Sequence, residues 1–375
     1  MRKFFCVVII LVAVASCNNK KQYLFVGTYT NTGSDGIYVY EFNEADTNAT
    51  LVSSIQSSNP SFIVPSADGN FLYAVNENAN TNGKGGGVSS FSFNKSNGKL
   101  SFINQRSSEG NHPCHLSLDK TGKWLAVGNY STGNMSIFPI AANGSIDSVR
   151  QVLQHQGKSI DSSRQKGPHI HQTVFSANNS YLYVPDLGID QVMIYRFDAA
   201  SGNAMPAWQP FVLSKPGSGP RHIVFHPTNK YAYLIEELTG TINAFSFSSG
   251  DGALKSIQQI SSTDKIFKGF AGSAEIQVSH DGRFLYASNR GDANNIAIFS
   301  IDENSGRLNF VQTQSSLGKA PRYFTIGPSG KFLLVANQDS NEIVIFSRNE
   351  KNGLLKDTGK RIPVKKPVCL QWIRG

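Results

Sequence analysis

The stretch GPRHIVFHPTNKYAYLIEEL, residues 219–238, contains the pattern that decides the fold of this 375-residue chain. A proline opens a short apolar strand, the turn HPTN follows, and an aromatic residue eleven positions after the proline begins a second strand that ends in a polar pair. Asn in such a turn readily takes the positive φ that a tight hairpin requires. The dense apolar runs on both sides of the turn indicate strands that are buried on both faces.

The same unit recurs at intervals of about 46 to 55 residues. Its openers are Pro60, Pro113, Pro168, Pro220, the Gly272-Ser273 pair, Pro321 and a final Pro367. A repeat of this length with several strands per unit is typical of a β-propeller blade. One small sheet cannot bury both faces until neighbouring sheets pack against it, so we expect the repeats to close into a ring.

Each unit supplies further strands after the first hairpin. The second strands are FLYAV, WLAVG, YLYVP, YAYLI, FLYAS and FLLVA, and the third strands are VSSFSF, MSIFPI, VMIYRF, INAFSF, IAIFSI and EIVIFS. A more polar segment such as KLSFINQ or RLNFVQT then follows as an edge strand at the rim. The sequence therefore predicts an all-β chain whose blades have four antiparallel strands each.

The strands at the two ends of the chain together make up one complete blade pattern. YLFVGT (residues 23–28) and IYVYEF (residues 37–42) have the patterns of a second and a third strand, but no first strand precedes them. PVCLQW (residues 367–372) is a first strand with no second strand after it. We therefore predict that the N- and C-terminal strands share one blade, which brings the ring to seven blades in a single domain over residues 22–375.

The first 17 residues have the features of a secretion signal. Arg2 and Lys3 precede an apolar run over residues 4–14, and VASC at residues 14–17 resembles the bacterial lipobox, in which Cys17 is lipidated and becomes the first residue of the mature protein. An ordinary signal peptide cut nearby is the alternative. The lipobox predicts a lipoprotein anchored by its lipid to a membrane of the cell envelope, facing the periplasm or on the surface.

The charge of the mature chain is mildly basic. Removal of Arg2 and Lys3 with the leader lowers the 35 basic side chains to 33 against 26 acidic ones, so the formal net charge falls from +9 to +7. This excess suits a small anionic ligand, but the absence of a basic run with interleaved aromatic residues argues against nucleic-acid binding. Cys114 and Cys369 lie on first strands of non-adjacent units, so we expect buried free thiols. We also expect the protein to be a monomer.

Blade geometry predicts where the chemistry lies. The residues after each opener and the polar residues that end each second strand emerge on one face of the ring, because these two strands are antiparallel. The first group is His115, His169, His171, Arg221, His222, Glu275, Arg322 and Tyr323. The second group is Asn76, Glu77, Asn129, Tyr130, Asp186, Glu236, Glu237, Asn289, Arg290, Asn337 and Gln338.

Structural roles compete with functional ones for several of these residues. The strand-end asparagines Asn76, Asn129, Asn289 and Asn337 are expected to cap strands through backbone hydrogen bonds. His115 and His222 fit hydrogen-bonded fillers of the channel as well as ligand-binding groups. Arg221 and Arg290 repel each other unless a carboxylate or a bound anion lies between them, and Glu237 is a candidate for that carboxylate.

Four of these segments resemble a known family. GPHIHQTVFS, GPRHIVFHPTNKYAYLIEEL, SAEIQVSHDGRFLYASNRG and APRYFTIGPSGKFLLVANQ are similar to motifs of the seven-bladed β-propeller lactonase family, which includes the propeller-type 6-phosphogluconolactonases. The resemblance extends over about residues 23–372. It implies a catalytic set that matches His171, Arg221, Glu237 and Arg290 here. One departure is Glu236, where relatives commonly have asparagine.

The resemblance implies a hydrolase that opens a sugar δ-lactone without a cofactor or a metal. His171 has the intrinsic pKa of a general base for water, Arg221 and Arg290 suit an oxyanion or a substrate anion, and Glu237 suits orientation of these groups. We expect substrate contacts from the remaining charged or imidazole groups, His115, His169, His222, Glu275 and Arg322. The alternatives are a carboxy-muconate lactonising cycloisomerase and a non-enzymatic propeller that binds a glycan or another ligand.

Overall fold

A computed structural model describes residues 21–80 and 85–374. The leader, residues 1–17, lies outside the described residues, and so does the predicted lipidation site Cys17. The described residues form seven four-stranded antiparallel sheets, and no helix that could cross a membrane occurs among them. The prediction of an all-β, seven-bladed propeller with four strands per blade is confirmed.

The blades follow one another along the chain. Blade 1 consists of β1 (Gln22–Thr28), β2 (Gly36–Asn43) and β3 (Asn48–Gln56); blade 2 of β4 (Ile63–Pro65), β5 (Phe71–Asn76), β6 (Gly87–Asn94) and β7 (Lys99–Ser107); blade 3 of β8 (Pro113–Leu118), β9 (Trp124–Asn129), β10 (Asn134–Pro139) and β11 (Gln151–Gln154). Blade 4 consists of β12 (Val174–Phe175), β13 (Tyr181–Asp186), β14 (Gln191–Asp198) and β15 (Asn203–Leu213); blade 5 of β16 (Pro220–Phe225), β17 (Tyr231–Glu236), β18 (Thr241–Phe247) and β19 (Leu254–Ser261). Blade 6 consists of β20 (Ser273–Val278), β21 (Phe284–Asn289), β22 (Asn295–Ile301) and β23 (Leu308–Ser315); blade 7 of β24 (Pro321–Ile326), β25 (Phe332–Asn337), β26 (Glu342–Arg348) and β27 (Leu355–Pro363); and β28 (Pro367–Arg374) returns to blade 1.

The ring closes through the pairing of β28 with β1. Residues Gln22 to Gly27 pair in antiparallel register with Arg374 to Cys369, so the C-terminal strand is the first strand of blade 1. The apolar residues of β1 from Leu24 to Val26 are fully buried. The predicted sharing of one blade by the two terminal strands is confirmed, and it removes the free edges at which an open ring would fray.

Buried tyrosines tie successive blades together. In three second strands a fully buried tyrosine donates its hydroxyl hydrogen to a glycine carbonyl in the β-hairpin of the next blade. These bonds join Tyr183 to Gly252 (2.7 Å), Tyr233 to Gly306 (3.0 Å) and Tyr286 to Gly353 (2.8 Å). The aromatic repeat in the sequence therefore supplies apolar packing and also satisfies a polar group at these three blade junctions.

The first strands are not regular near their openers. The pairing register shifts between Pro113 and His115, between Pro220 and His222, and between Pro321 and Tyr323. A β-bulge of this kind leaves one residue outside the ladder and re-aims its side chain. The residues passed over are Cys114, Arg221 and Arg322.

Blade 4 departs further from the expected pattern. The strand predicted to begin after Pro168 is reduced to Val174–Phe175, with one isolated bridge between Ile170 and Asp186. The physical reason is that the backbone N–H of His169 donates to a side-chain oxygen of Asp186 at 2.7 Å, which replaces a ladder bond. The segment before β12 therefore belongs to a long connection over residues 155–173.

Candidate active site

A cavity of about 590 Å³ opens at one end of the central channel. Charged side chains from several blades line it, together with the ring of Tyr29 and the ring of Tyr130. The charged lining residues are Glu77, Arg164, Glu237, Arg290, Arg322 and Asp339, and His171 lies among them. Strand-end and post-opener residues therefore do meet on one face, as the sequence predicts.

Glu237 is the centre of the charge cluster. Its Oε1 accepts a hydrogen bond from Arg164 Nη2 at 2.7 Å, and its Oε2 accepts one from Arg221 Nε at 3.0 Å and lies 2.9 Å from Arg290 Nη2. The residue is only 5% exposed. Burial by itself would raise the pKa of Glu237, but the guanidinium groups of Arg290 and Arg221 outweigh it and hold the pKa well below its usual value. The carboxylate stays ionised.

The two central arginines are also fixed at backbone carbonyls. Arg221, on β16 and 2% exposed, donates from Nη1 to the carbonyl of Ala274 on β20 at 2.6 Å. Arg290, which follows β21, donates from Nε to the carbonyl of Gly272 at 2.8 Å. Each guanidinium thus joins Glu237 to the neighbouring blade. Glu237 therefore lies between Arg221 and Arg290, where a carboxylate was expected.

His171 lies beside this cluster. Its Nε2 is 4.0 Å from Glu237 Oε2, and its Nδ1 is 3.9 Å from the Cys114 sulfur. Burial lowers the pKa of His171 well below its usual value, and the positive charge of Arg221 lowers it further. The imidazole is therefore neutral near pH 7 and can accept a proton. The four residues of the expected catalytic set are brought together.

Three other predicted residues lie deeper in the channel. His222 Nδ1 is 2.8 Å from Glu275 Oε2, and the His222 ring centroid is 5.2 Å from that of His171 and 5.4 Å from that of His115. Burial lowers the pKa of His115 to about 3 and raises the pKa of Glu275 to about 8. None of the three is among the described residues that line the cavity.

Of the five residues expected to contact substrate, Arg322 alone is in the described cavity lining. His169 lies behind Tyr130: the two rings stack at 4.5 Å between centroids, and His169 Nδ1 lies 2.9 Å from the Tyr130 carbonyl oxygen. His169 supports the wall of the cavity from outside. The expectation that His115, His169, His222 and Glu275 reach into the same space therefore differs from their placement in the structure.

Glu236 does not change the charge of the cavity. The residue is 1% exposed, and its Oε1 accepts a hydrogen bond from Asn243 Nδ2 at 2.6 Å. Consecutive residues of a strand point to opposite faces. The side chain of Glu236 therefore points into the blade, whereas that of Glu237 points to the channel. The departure from the family pattern at this position leaves the Glu237 cluster intact.

The strand-end asparagines are caps, as expected. Each donates from its side-chain nitrogen to a backbone carbonyl of the loop that precedes the first strand of its blade. The bonds are Asn76 to Ser58 (2.9 Å), Asn129 to Ser108 (2.9 Å), Asn289 to Ser262 (2.9 Å) and Asn337 to Ser316 (2.9 Å). Cys114 and Cys369 are both buried and form no disulfide, as expected.

Sequence reasoning missed Tyr29 and Arg164. Tyr29 follows β1 at the position where Glu77 follows β5, so extension of the strand-end register to the first blade would have found it. Arg164 comes from the connection over residues 155–173, which has no counterpart in the other units. Within the described ranges, no three His, Cys, Asp or Glu side chains are arranged to hold a metal ion.

The fold and this site define a propeller enzyme of the lactonase class. The family model "Lactonase, 7-bladed beta-propeller" matches residues 23–372, and the chain belongs to this family. It is 38% identical over 353 residues to a 6-phosphogluconolactonase of Formosa agariphila, covering 93% of this chain and 98% of that protein. It is 33% identical over 357 residues to the 6-phosphogluconolactonase of Bacillus subtilis, covering 93% and 97%.

A solved structure of the same kind is also similar. The structure of a periplasmic gluconolactonase from Pseudomonas aeruginosa superposes with a TM-score of 0.89 at 38% identity. The superposition covers 94% of this chain and 99% of that one. Likeness at this identity and coverage extends over the whole ring.

Proposed function

We infer that the protein is a 6-phosphogluconolactonase-like lactonase, a hydrolase that opens the cyclic ester of a sugar δ-lactone by addition of water. The observation that carries this inference is the convergence of His171, Arg221 and Arg290 on the carboxylate of Glu237, which lines the cavity together with His171 and Arg290. The family and the printed names of the relatives support it. A base, an ordered carboxylate and guanidinium donors are sufficient for this reaction.

His171 is the proposed general base. Its neutral imidazole takes a proton from the water whose oxygen attacks the lactone carbonyl carbon. The carboxylate of Glu237, 4.0 Å from Nε2, then stabilises the imidazolium that forms, because an opposite charge nearby favours the protonated state. When the tetrahedral intermediate collapses, the bond to the ring oxygen breaks and the imidazolium returns its proton to that oxygen. The product is the open hydroxy acid.

The two arginines have different roles in this scheme. Arg290 lines the cavity with 17% of its side chain exposed, so it is placed to stabilise the oxyanion of the tetrahedral intermediate. A preorganised charged donor at this position is typically worth about 2.7 to 4 kcal/mol. Arg221 is outside the described lining and holds Glu237 in place from behind. We assign it as a positioning residue.

The test is acid release from a δ-lactone by the purified domain. Residues 22–375 are incubated with 6-phosphoglucono-δ-lactone or glucono-δ-lactone near pH 6.5, and ring opening is compared with that in buffer and with heat-denatured protein. Faster opening by the native protein supports the inference. A carboxy-muconate substrate tests the lactonising alternative through proton uptake, because the carboxylate adds to the double bond and the neighbouring carbon takes a proton. Rates equal to buffer on all substrates reject catalysis.

We further propose that the mature protein begins at a lipidated Cys17 and is anchored in the cell envelope as a monomer. The lipobox VASC motivates the anchor, and the periplasmic relative of known structure supports a location outside the cytoplasm. Incorporation of labelled palmitate should be lost in Cys17→Ser and kept in Cys6→Ser, because Cys6 precedes the cleavage point. Label in both variants or in neither would reject the anchor, and size-exclusion chromatography checks the monomer.

A further inference from the structure

Among the described residues, Arg322 differs from the other cavity arginines in having no hydrogen-bond or ion-pair partner. Its side chain enters the cavity from the bulge at the start of β24. Within the described residues no hydrogen bond or ion pair reaches its guanidinium, and the guanidinium carbon lies 5.5 Å from the centroid of the Tyr29 ring. Arg322 is only partly buried, and a guanidinium carries several N–H donors in a fixed fork that a ligand in the cavity can engage.

The carboxylates around Arg322 are already engaged. Glu77 Oε2 accepts a hydrogen bond from Tyr29 at 2.9 Å and another from Ser61. Asp339 pairs with Lys366 at 2.8 Å, on the rim. Glu237 is shared by the other arginines, as described above.

The charges in the cavity and directly behind it have a positive excess. Lys366 balances Asp339, and four guanidinium groups, from Arg164, Arg290 and Arg322 in the lining and from Arg221 behind it, then stand against the carboxylates of Glu77 and Glu237. Burial acts to lower the pKa of Arg322, but the neighbouring Tyr29 and Glu77 outweigh it, so the guanidinium remains charged. An anionic ligand would balance this charge.

We propose that Arg322 binds an oxyanion that the lactone carries away from its reacting carbonyl, and that this contact sets the preference for anionic lactones. The proposal rests on the proposed function. Arg221 is less suitable, because it lies outside the described lining and is held by Glu237 and the Ala274 carbonyl, and Arg290 is the residue proposed for the oxyanion. A phosphate ester and a carboxylate both present paired oxygens to a guanidinium fork, so both belong to the class of group that Arg322 would bind.

The test compares three lactones: 6-phosphoglucono-δ-lactone, a glucarolactone with a free carboxylate, and neutral glucono-δ-lactone. We expect the wild-type protein to prefer at least one anionic lactone over the neutral one in kcat/KM. Arg322→Gln should reduce that ratio by about tenfold or more, since charge-assisted hydrogen bonds are the strong ones. Arg322→Lys should restore part of the ratio, because it keeps the charge and loses the fork.

The matched control is Arg361→Gln. Arg361 lies on the outer strand β27 and pairs with Asp357 at 2.8 Å, so its loss should leave the substrate ratio unchanged. Thermal unfolding establishes that each variant is folded. The anionic lactone that loses more preference in Arg322→Gln identifies whether phosphate or carboxylate is the natural group.

The outcomes separate this inference from the proposed function. Equal kcat/KM for anionic and neutral lactones in the wild type, or an unchanged ratio in Arg322→Gln, would overturn the role of Arg322 while hydrolysis stands. If no lactone is opened, hydrolysis fails, and the stabilisation by inorganic phosphate in a thermal shift measurement decides the anion site. If phosphate raises the Tm of the wild type and of both Arg322 variants equally, the anion site at Arg322 is rejected.

Discussion

Replacement of Glu237 by glutamine removes the negative charge on which the site depends. The substitution keeps the size of the side chain but leaves Arg164, Arg221 and Arg290 without their shared carboxylate. Arg221 is 2% exposed, so water cannot take over the lost interaction. We therefore expect Glu237→Gln to lose both stability and lactonase activity.

The size of the stability loss follows from the burial. Removal of one partner from a buried ion pair costs about 3 to 5 kcal/mol, because the other charge is left unpaired. An unfolding entropy of about 2.1 cal/mol/K per residue gives a domain of this length about 0.7 kcal/mol/K. The midpoint of thermal unfolding should therefore fall by about 4 to 7 °C.

Sulfate provides a sharper readout than the midpoint alone. With the carboxylate gone, the guanidinium cluster becomes an anion site, and sulfate at about 100 times its dissociation constant would return about 2.7 kcal/mol. We expect sulfate to raise the Tm of Glu237→Gln by several degrees more than that of the wild type.

Glu236→Gln is the matched control. The adjacent carboxyl is equally buried but turns into the blade toward Asn243, away from the arginines. It should show no extra gain in sulfate. A Glu237→Gln protein with the Tm of the wild type, or with no larger response to sulfate than Glu236→Gln, would refute the assignment of Glu237 as the counter-charge of the cluster.

Three further predictions concern pH and capping. Because burial lowers the pKa of His171 well below its usual value, kcat/KM should fall less between pH 7 and pH 5.5 than the loss of about tenfold expected for a base with an ordinary pKa; a pH–rate profile on the free enzyme decides. Burial raises the pKa of Glu275 to about 8, so its stabilising effect is complete below the unfolded pKa of about 4.5 and is lost as pH rises through 8. Between pH 7 and pH 9, the free energy of unfolding measured in urea should therefore fall by about 1.4 kcal/mol more for the wild type than for Glu275→Gln. Equal falls would contradict the raised pKa of Glu275. Asn289→Ala removes bonds to the Ser262 carbonyl and to the hydroxyls of Ser262 and Ser273, and should cost about 2 to 4 kcal/mol in the same assay, whereas a change below 1 kcal/mol would reject its role as a cap.

The architecture was accessible from the sequence because each blade carries its own signals. The openers, the hairpin turns and the aromatic starts of the second strands recur in every complete unit, and PVCLQW at residues 367–372 supplies the strand that the first unit lacks. These are local features, and each of them favours a particular backbone conformation. The sequence also predicted that post-opener residues such as Arg221 meet strand-end residues such as Glu237 on one face. Antiparallel first and second strands bring the start of one and the end of the other to the same edge.

The sequence did not predict how deep each side chain lies within the channel. Bulges after Pro113, Pro220 and Pro321 change which side chain turns to the cavity, and no residue pattern announces them. Of the residues passed over by the bulges, Cys114 and Arg322 line the cavity and Arg221 does not. Arg164 depends on the connection over residues 155–173, whose path is set by tertiary contacts such as the buried pair of His155 and Asp186 at 2.7 Å.

The most direct test of the central claim is kcat/KM for opening of 6-phosphoglucono-δ-lactone, measured side by side for the wild type and His171→Ala. His112→Asn is the control, because His112 has a positive φ that asparagine tolerates and its Nδ1 contacts Ser131 outside the described cavity lining. The account predicts opening well above the rate in buffer, a loss of about a hundredfold or more in His171→Ala and no loss in His112→Asn. A wild-type rate equal to buffer, or a folded His171→Ala protein as active as the wild type, would contradict it.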